Sequence, residues 1–384
     1  MKKITALILC VLMLCVGSIP INAVGYSDVD STTLAPNCTS AILLEAETGR
    51  VLFEQNADQP LPPASVTKIM TILLVMEAIE SGAVKLSDTV TASAHASSMG
   101  GSQIFLKEGE QMPLEDMLKA VIIASANDCA VALAEHVAGG EEVFVARMNE
   151  RATQLGMKNT NFENTNGLDD TAQNHVTSAR DIAIMSRELI KHKKVLEYSS
   201  RWMDTVRGGE FGLTNTNRLV RFYKGITGLK TGSTSKAGFC VSATAERDGL
   251  SLIAVVMGSP SRDERNATAK ALLDWGFANY ALYRNVPQIA SAIGVSGGKQ
   301  DSVRITANEF CAVLQKGNEQ KVLVKTELSE NVTAPVKVGD KVGCVKYYVG
   351  NETIGEIDIC AAETVEKIEF GDVFMRILGI LFMR

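Results

Sequence analysis

The string Pro62-Pro63-Ala64-Ser65-Val66-Thr67-Lys68-Ile69-Met70 places a serine and a lysine three residues apart at the head of an apolar run. Two prolines fix an extended entry, and residues 69–75 read as a buried helix that starts near Ser65. Side chains at i and i+3 share one face of such a helix. Ser65 is then a candidate covalent nucleophile, and Lys68 the base that removes its proton. A serine hydroxyl is a weak nucleophile until a neighbouring base activates it, and an amine can serve once desolvation or a second cation lowers its pKa. The helix N-terminus adds a field that favours negative charge developing nearby. Alone the pair decides little. Ser-x-x-Lys recurs at Ser233-Thr234-Ser235-Lys236, and a serine at a helix start is commonly its N-cap.

Two further polar strings lie where apolar elements meet. Residues 114–126 read as a helix, with Leu114, Met117, Leu118, Val121 and Ile122 at helical spacing. That helix runs into Ser125-Ala126-Asn127-Asp128, and a second apolar helix over 130–137 ends at Gly139-Gly140. Polar groups between two apolar helices are costly to bury without partners, which predicts that something uses them. The third string, Gly225-Ile226-Thr227-Gly228-Leu229-Lys230-Thr231-Gly232, reads as a strand. Strands over 239–246 and 250–257 follow, joined at the hairpin dipeptide Asp248-Gly249. A hairpin over 41–45 and 50–54 precedes the Ser65 helix, and helices over 142–155, 178–192 and about 266–280 complete the region.

Ser65-Val66-Thr67-Lys68, Ser125-Ala126-Asn127 and Lys230-Thr231-Gly232, in this order and in these contexts, form the signature of penicillin-binding proteins and class A β-lactamases. The longer strings Pro-Ala-Ser-Val-Thr-Lys-Ile-Met, Ser-Ala-Asn-Asp, Asn-Gly-Leu-Asp and Gly-Leu-Lys-Thr-Gly narrow the match. They resemble the secreted low-molecular-weight penicillin-binding proteins that are serine-type D-alanyl-D-alanine carboxypeptidases, over nearly the whole mature chain. The resemblance implies an α/β (α+β) architecture. It has a β-lactamase/transpeptidase-like domain with an antiparallel sheet flanked by helices, a small C-terminal all-β domain and a terminal amphipathic helix.

It also implies that Ser65 attacks the carbonyl between the two terminal D-alanines of a peptidoglycan stem peptide, and that β-lactam antibiotics acylate the same serine. Lys68 would accept the Ser65 proton. Lys230 would stand opposite as a second cation that keeps Lys68 closer to neutral and attracts an anionic substrate. Ser125 can pass a proton toward the leaving amine, and Asn127 can hold the substrate amide or Lys68. The backbone N–H groups of Ser65 and Ser233 are the family's oxyanion hole, and Gly232 suits close backbone approach to a ligand. Thr231 is one candidate for the leaving residue's carboxylate, and Arg265 matches the arginine that binds it in the family. An arginine at a helix start is otherwise commonly solvated. His175 and Cys129 are read as structural. Water and an amine can both attack the acyl-enzyme, so transpeptidation stays open.

Two rival functions share these motifs. A serine β-lactamase needs a glutamate acting on water, carried in class A by a Glu-x-x-Leu-Asn loop. The corresponding stretch here, Glu163-Asn164-Thr165-Asn166-Gly167-Leu168, lacks that pattern, and Glu163 reads as a surface residue. A catalytically silent cell-wall-binding protein is disfavoured by the intact motifs.

The whole chain bounds these readings. Its 384 residues, 46% hydrophobic and 21% charged, suit two or three globular domains. A net charge of −6 with mixed signs gives no nucleic-acid footprint. Four scattered histidines, with no His-x-x-x-His or Cys-x-x-Cys, argue against a metal site, and no cofactor is implied. Lys2, Lys3 and the apolar run 4–16, followed by Gly17, Pro20 and Ala23, read as a signal peptide over 1–23. A catalytic domain is expected over 35–284, and a β-rich domain without reactive clusters over 285–365. Over 366–384, Phe370, Val373, Phe374, Ile377, Leu378 and Leu381 share a face, which suits an in-plane helix that anchors a secreted protein peripherally on the outer membrane face. The alternative is a helix packed on the β-rich domain.

Overall fold

A computed structural model describes residues 33–170 and 172–382; the expected signal segment, 1–23, lies outside the described residues. The sequence hairpin forms as β1 (Ser40–Glu45) and β2 (Val51–Gln55). Helices follow: α1 (Lys68–Glu80), α2 (Leu114–Lys119), α3 (Asn127–Ala138), α4 (Glu141–Gln154) and α5 (Ala179–Leu189). The chain then returns to the sheet as β3 (Ile226–Thr234), β4 (Gly238–Arg247) and β5 (Leu250–Ser259) before α6 (Arg262–Asn279). Strand order is β2-β1-β5-β4-β3, antiparallel throughout, which leaves β3 on one edge.

The central strands β1, β4 and β5 are buried on both faces and carry long buried runs, whereas the edge strands β2 and β3 carry polar residues. Ile42, Leu44, Ile253 and Val255 belong to the core shared with the helical lobe. Leu43 and Leu252 point the other way, against Gly276 of α6. Helix α1 is apolar on nearly every side, with Ile69, Met70, Ile72, Leu73 and Val75 buried, as befits a helix at the centre of a domain.

Several boundaries differ from the sequence reading. The α-helix begins at Lys68, and Ser65 lies on a preceding 3₁₀ turn, Ala64–Thr67. The expected helix over 114–126 is regular only to Lys119; Ala120–Ala124 widens into a π turn. Helix α3 starts at Asn127, inside the polar string. Helix α6 starts four residues early because Ser261 caps it, its Oγ accepting the Glu264 N–H at 3.2 Å.

Past α6 the chain is β-structured. β6 (Tyr280–Asn285), not anticipated as a strand, is followed by β7 (Ala292–Ser296), β8 (Ser302–Ala307), β9 (Phe310–Gln315), β10 (Val322–Leu328), β11 (Asn331–Thr333), β12 (Lys341–Val349) and β13 (Glu352–Ala361). Six of these form a sheet of order β10-β12-β13-β8-β7-β11, while β6 pairs with β9. Val303, Val345, Tyr347 and Ile359 are its fully buried residues, and Phe310 stacks on Tyr347. The last helix, α7 (Phe370–Phe382), exposes Phe370, Phe374, Ile377, Ile380 and Leu381. No helix among the described residues is long and apolar enough to cross a membrane. Cys38, Cys129, Cys240, Cys311, Cys344 and Cys360 are all unpaired thiols.

Candidate active site

Ser65 is half-buried on a turn that two glycines clamp. A Cβ on Gly232 would lie 2.8 Å from the Ser65 nitrogen and 2.9 Å from the Pro63 oxygen. A Cβ on Gly167 would overlap the Ala64 carbonyl. Gly232, expected to allow close backbone approach of a ligand, lines the cleft and also lets β3 pack against the Ser65 turn. Ala64, one residue before Ser65, has φ +48, a left-handed conformation that costs a non-glycine residue about 1–3 kcal/mol. Packing from β3 and from the loop holding Gly167 keeps it there.

Lys68 is fully buried one turn later. Its Nζ is 2.9 Å from Ser65 Oγ, 2.6 Å from Asn127 Oδ1 and 2.7 Å from the Asn166 carbonyl oxygen. Burial pushes its pKa well below the usual lysine value, the Lys230 cation adds to that, and Asp128 opposes it. In the neutral form two N–H groups satisfy Asn127 and Asn166. The lone pair is then left for the Ser65 hydroxyl.

The polar string after α2 is placed by the π turn. The Ser125 and Ala126 N–H groups both reach back to the Ala120 carbonyl, and Ser125 adopts φ +65. A π turn inserts one residue into a helix and recurs at functional sites; here it turns the Ser125 hydroxyl to Lys230. Asn127 donates from Nδ2 to the Gly100 carbonyl at 2.7 Å while holding Lys68 with Oδ1. Buried Asp128 accepts the N–H groups of Ile104 and Leu106, which pins the loop carrying Ser102. The expected use of every polar group in this string is therefore met.

Lys230 and Gly232 point to one face of β3, because strand side chains alternate. Lys230 Nζ donates to Ser125 Oγ at 2.8 Å and to the Thr231 carbonyl at 3.0 Å. Burial, then the neighbouring Arg265 cation, pushes its pKa down to about 7. Thr231 faces the other way and donates to Thr216 Oγ1 at 2.8 Å. Arg265 is buried on the first turn of α6 rather than solvated. Asn266 Oδ1 and the Cys240 carbonyl accept its N–H groups, and burial, then Arg262, lowers its pKa to about 10.

A cavity of about 560 Å³ joins these parts, lined by Ser65, Ser125, Thr231, Gly232, Ser233 and Arg265 among others. Lys68 and Asn127 sit behind it, Lys68 bonded both to Ser65 and to Asn127. Sequence reasoning missed the Asn166 carbonyl, Thr216 and the Asp128 loop clamp. Asn-Gly-Leu-Asp was the available signal for the first. Glu163 is exposed and accepts the N–H groups of Gln173 and Asn174. His175 is structural, as read: its Nδ1 accepts the Glu163 N–H, so Nε2 donates to Thr67 Oγ1. Cys129 is buried core.

A half-buried serine against a buried lysine, with a second buried lysine across a cleft, is equipped for acyl transfer without histidine or metal ligands. Comparison with known proteins gives the family. Residues 29–261 match the model described as D-alanyl-D-alanine carboxypeptidase, and residues 284–367 match that of the penicillin-binding protein 5 C-terminal domain. The D-alanyl-D-alanine carboxypeptidase DacF of Bacillus subtilis is 41% identical over 91% of each chain. The crystal structure of penicillin-binding protein 5 from Haemophilus influenzae superposes with a TM-score of 0.76 at 32% identity, covering 86% of this chain and 98% of that one. Penicillin-binding protein D2 from Listeria monocytogenes in its ampicillin-bound form gives a TM-score of 0.58 at 32% identity, covering 63% and 98%. The chain belongs to the serine D-alanyl-D-alanine carboxypeptidase family, and it is an enzyme of that class.

Proposed function

We propose that the enzyme removes the terminal D-alanine from peptidoglycan stem pentapeptides through an acyl-enzyme on Ser65. The observation that carries this is the Lys68 amine. It is buried, 2.9 Å from Ser65 Oγ, with both of its other bonds committed to fixed acceptors. Lys68 takes the Ser65 proton as Oγ adds to the carbonyl. The N–H groups of Ser65 and Ser233 receive the oxyanion. Ser125, bonded to Lys230, delivers a proton to the departing amine, and the Ser65 ester is released by water. Asn127 orients Lys68, and Thr231 and Arg265 hold the departing residue's carboxylate. Penicillins acylate the same serine, a reading supported by the ampicillin-bound Listeria relative.

Release of free D-alanine from a pentapeptide, measured with and without penicillin on the enzyme, tests this. Ser65→Ala should abolish both release and covalent penicillin labelling. D-alanine release that survives in this variant would sink the assignment. Rapid, burst-free turnover of benzylpenicillin by the wild type would favour the β-lactamase reading instead.

In the proposed organisation, residues 35–284 carry catalysis, 285–365 form a β-rich support, and 366–384 anchor the secreted enzyme peripherally on the outer face of the membrane. The exposed phenylalanines and aliphatic side chains of α7 support the last point. A truncation ending at Thr364 should leave the membrane fraction; equal membrane retention of truncated and intact protein would remove the anchor.

A further inference from the structure

The cleft is much larger than a departing alanine requires, and its far wall is cationic. Arg218, Arg221 and Arg262 line the same cavity as Ser65 and Arg265. Arg151, Arg180, Arg201, Arg207, Arg284 and Arg304 each pair with a carboxylate elsewhere in the molecule. Arg50, Arg147 and Arg187 donate instead to backbone carbonyls, whereas at the cleft no side-chain hydrogen bond to protein holds Arg218, Arg221 or Arg262 among the described residues. Arg218 and Arg262 are exposed, and Arg221 sits between the rings of Trp202 and Phe222, 5.6 and 5.4 Å from their centres. No ion pair to any of these three occurs among the described residues. Asn217, whose Nδ2 donates to the Gly228 carbonyl at 2.9 Å and whose Oδ1 accepts the Leu219 N–H, fixes the loop beside Arg218. Arg262 lies one helical turn from Arg265 on α6, opposite that loop. Arg218 and Arg262 line the same cavity as buried Arg265, so they flank the end of the cleft where the departing carboxylate is proposed to sit.

Three arginines without carboxylate partners give this end of the cleft a positive potential that attracts anions, in a chain whose net charge is −6. We infer that Arg218 and Arg262, with Arg221 held between Trp202 and Phe222, form a second anion subsite at the leaving-residue end of the cleft. It takes a departing amino acid that carries two carboxylates. This rests on the carboxypeptidase reading and extends it to substrate choice. The chemistry is unchanged: the bond from the D-alanyl carbonyl carbon to the leaving nitrogen breaks, the Ser65 ester forms, and the Ser65 proton ends on the departing amine. In the reverse sense, the same subsite selects a dicarboxylate amine as the acyl acceptor, whose attack returns the proton to Ser65 Oγ.

The test uses the full-length enzyme and two N-acylated tripeptides that differ only in ending D-alanyl-D-alanine or D-alanyl-D-glutamate. The readout is the ratio of their kcat/KM values, from the amino acid released. Arg218→Gln with Arg262→Gln should lower the glutamate-to-alanine ratio about tenfold, the effect of losing two exposed ion pairs, with a smaller fall on the alanine peptide. Arg304→Gln, which removes a positive charge in the β-rich region, should leave the ratio where it was. An unmoved ratio in the double variant, or equal losses on both peptides, overturns the subsite. If wild-type enzyme releases no D-alanine, the carboxypeptidase reading fails separately. The subsite is then judged by whether free D-glutamate slows penicillin labelling of Ser65 more than D-alanine does, and whether that difference disappears in the double variant. Equal slowing would reject it.

Discussion

Lys68, Lys230 and Arg265 in the cleft are 0%, 1% and 3% exposed, and none makes an ion pair among the described residues. In the β-rich region Lys341, Lys346 and Arg304 lie at or near the surface, each against a carboxylate. The residue types match, and the placement is opposite. Exposed pairs contribute at most about 1 kcal/mol each and leave the pKa values on the charged side. Buried, unpaired cations are held in a state that costs stability, and that state makes an amine available as a base at neutral pH. The two regions thus separate what the fold spends on chemistry from what it gains in stability.

Lys68→Met should have the largest effect. D-alanine release and penicillin acylation should each fall about 10²- to 10⁴-fold, the usual contribution of a general base. The orphaned Asn127 Oδ1 and Asn166 carbonyl should also destabilise the fold by roughly 1–3 kcal/mol each. Stopped-flow acylation and thermal unfolding check both parts; normal acylation would show that Lys68 is not the base.

Tyr347→Ala should do the reverse. Tyr347 is fully buried and stacked on Phe310, so its loss should destabilise the protein by about 3–5 kcal/mol. Acylation per folded molecule should stay at the wild-type rate. A large drop in that rate would mean that the β-rich region shapes the cleft and that the comparison fails.

The pH response is the smallest and most diagnostic effect. Lys230 in the free enzyme loses its proton as pH rises through about 7. If its charge attracts the substrate, kcat/KM should fall about tenfold per pH unit above that point. A bound carboxylate favours the cation, so the corresponding limb in kcat should lie at higher pH. Stability moves the other way. Between about 7 and the ordinary value of 10.5, the unfolded state holds more protons at this site, so the Lys230 contribution to stability rises with pH in that window. A flat kcat/KM profile to pH 9 would remove Lys230 from substrate attraction.

The chemistry-bearing side chains were legible in the sequence because each sits in a short polar string with apolar flanks, and only a few folds bring three such strings together. The backbone that aims them was not. Ala-Val-Ile-Ile-Ala over 120–124 reads as ordinary helix, and its widening into a π turn depends on where Ser125 and Asn127 are held from outside. The 3₁₀ turn at Ser65 is imposed by Gly167 and Gly232, distant in sequence, and the Asn166 carbonyl is a main-chain group that only the string Asn166-Gly167-Leu168-Asp169 around it could flag. The start of α6 was available in Ser261-x-x-Glu264. β6 was hidden because Tyr280–Asn285 is short and continues directly from a helix.

The loop carrying Asn166 and Gly167 bears on drug resistance. A relative of this enzyme that destroyed penicillin would need a carboxylate and a water beside the acylated serine. Here that flank is taken by a main-chain oxygen bonded to Lys68 and by a glycine packed against Ala64. The Asn166 side chain turns back to accept the Leu168 N–H, and the exposed Glu163 carboxylate is taken up by the Gln173 and Asn174 N–H groups. An evolutionary route from cell-wall trimming to antibiotic breakdown would have to reshape this segment.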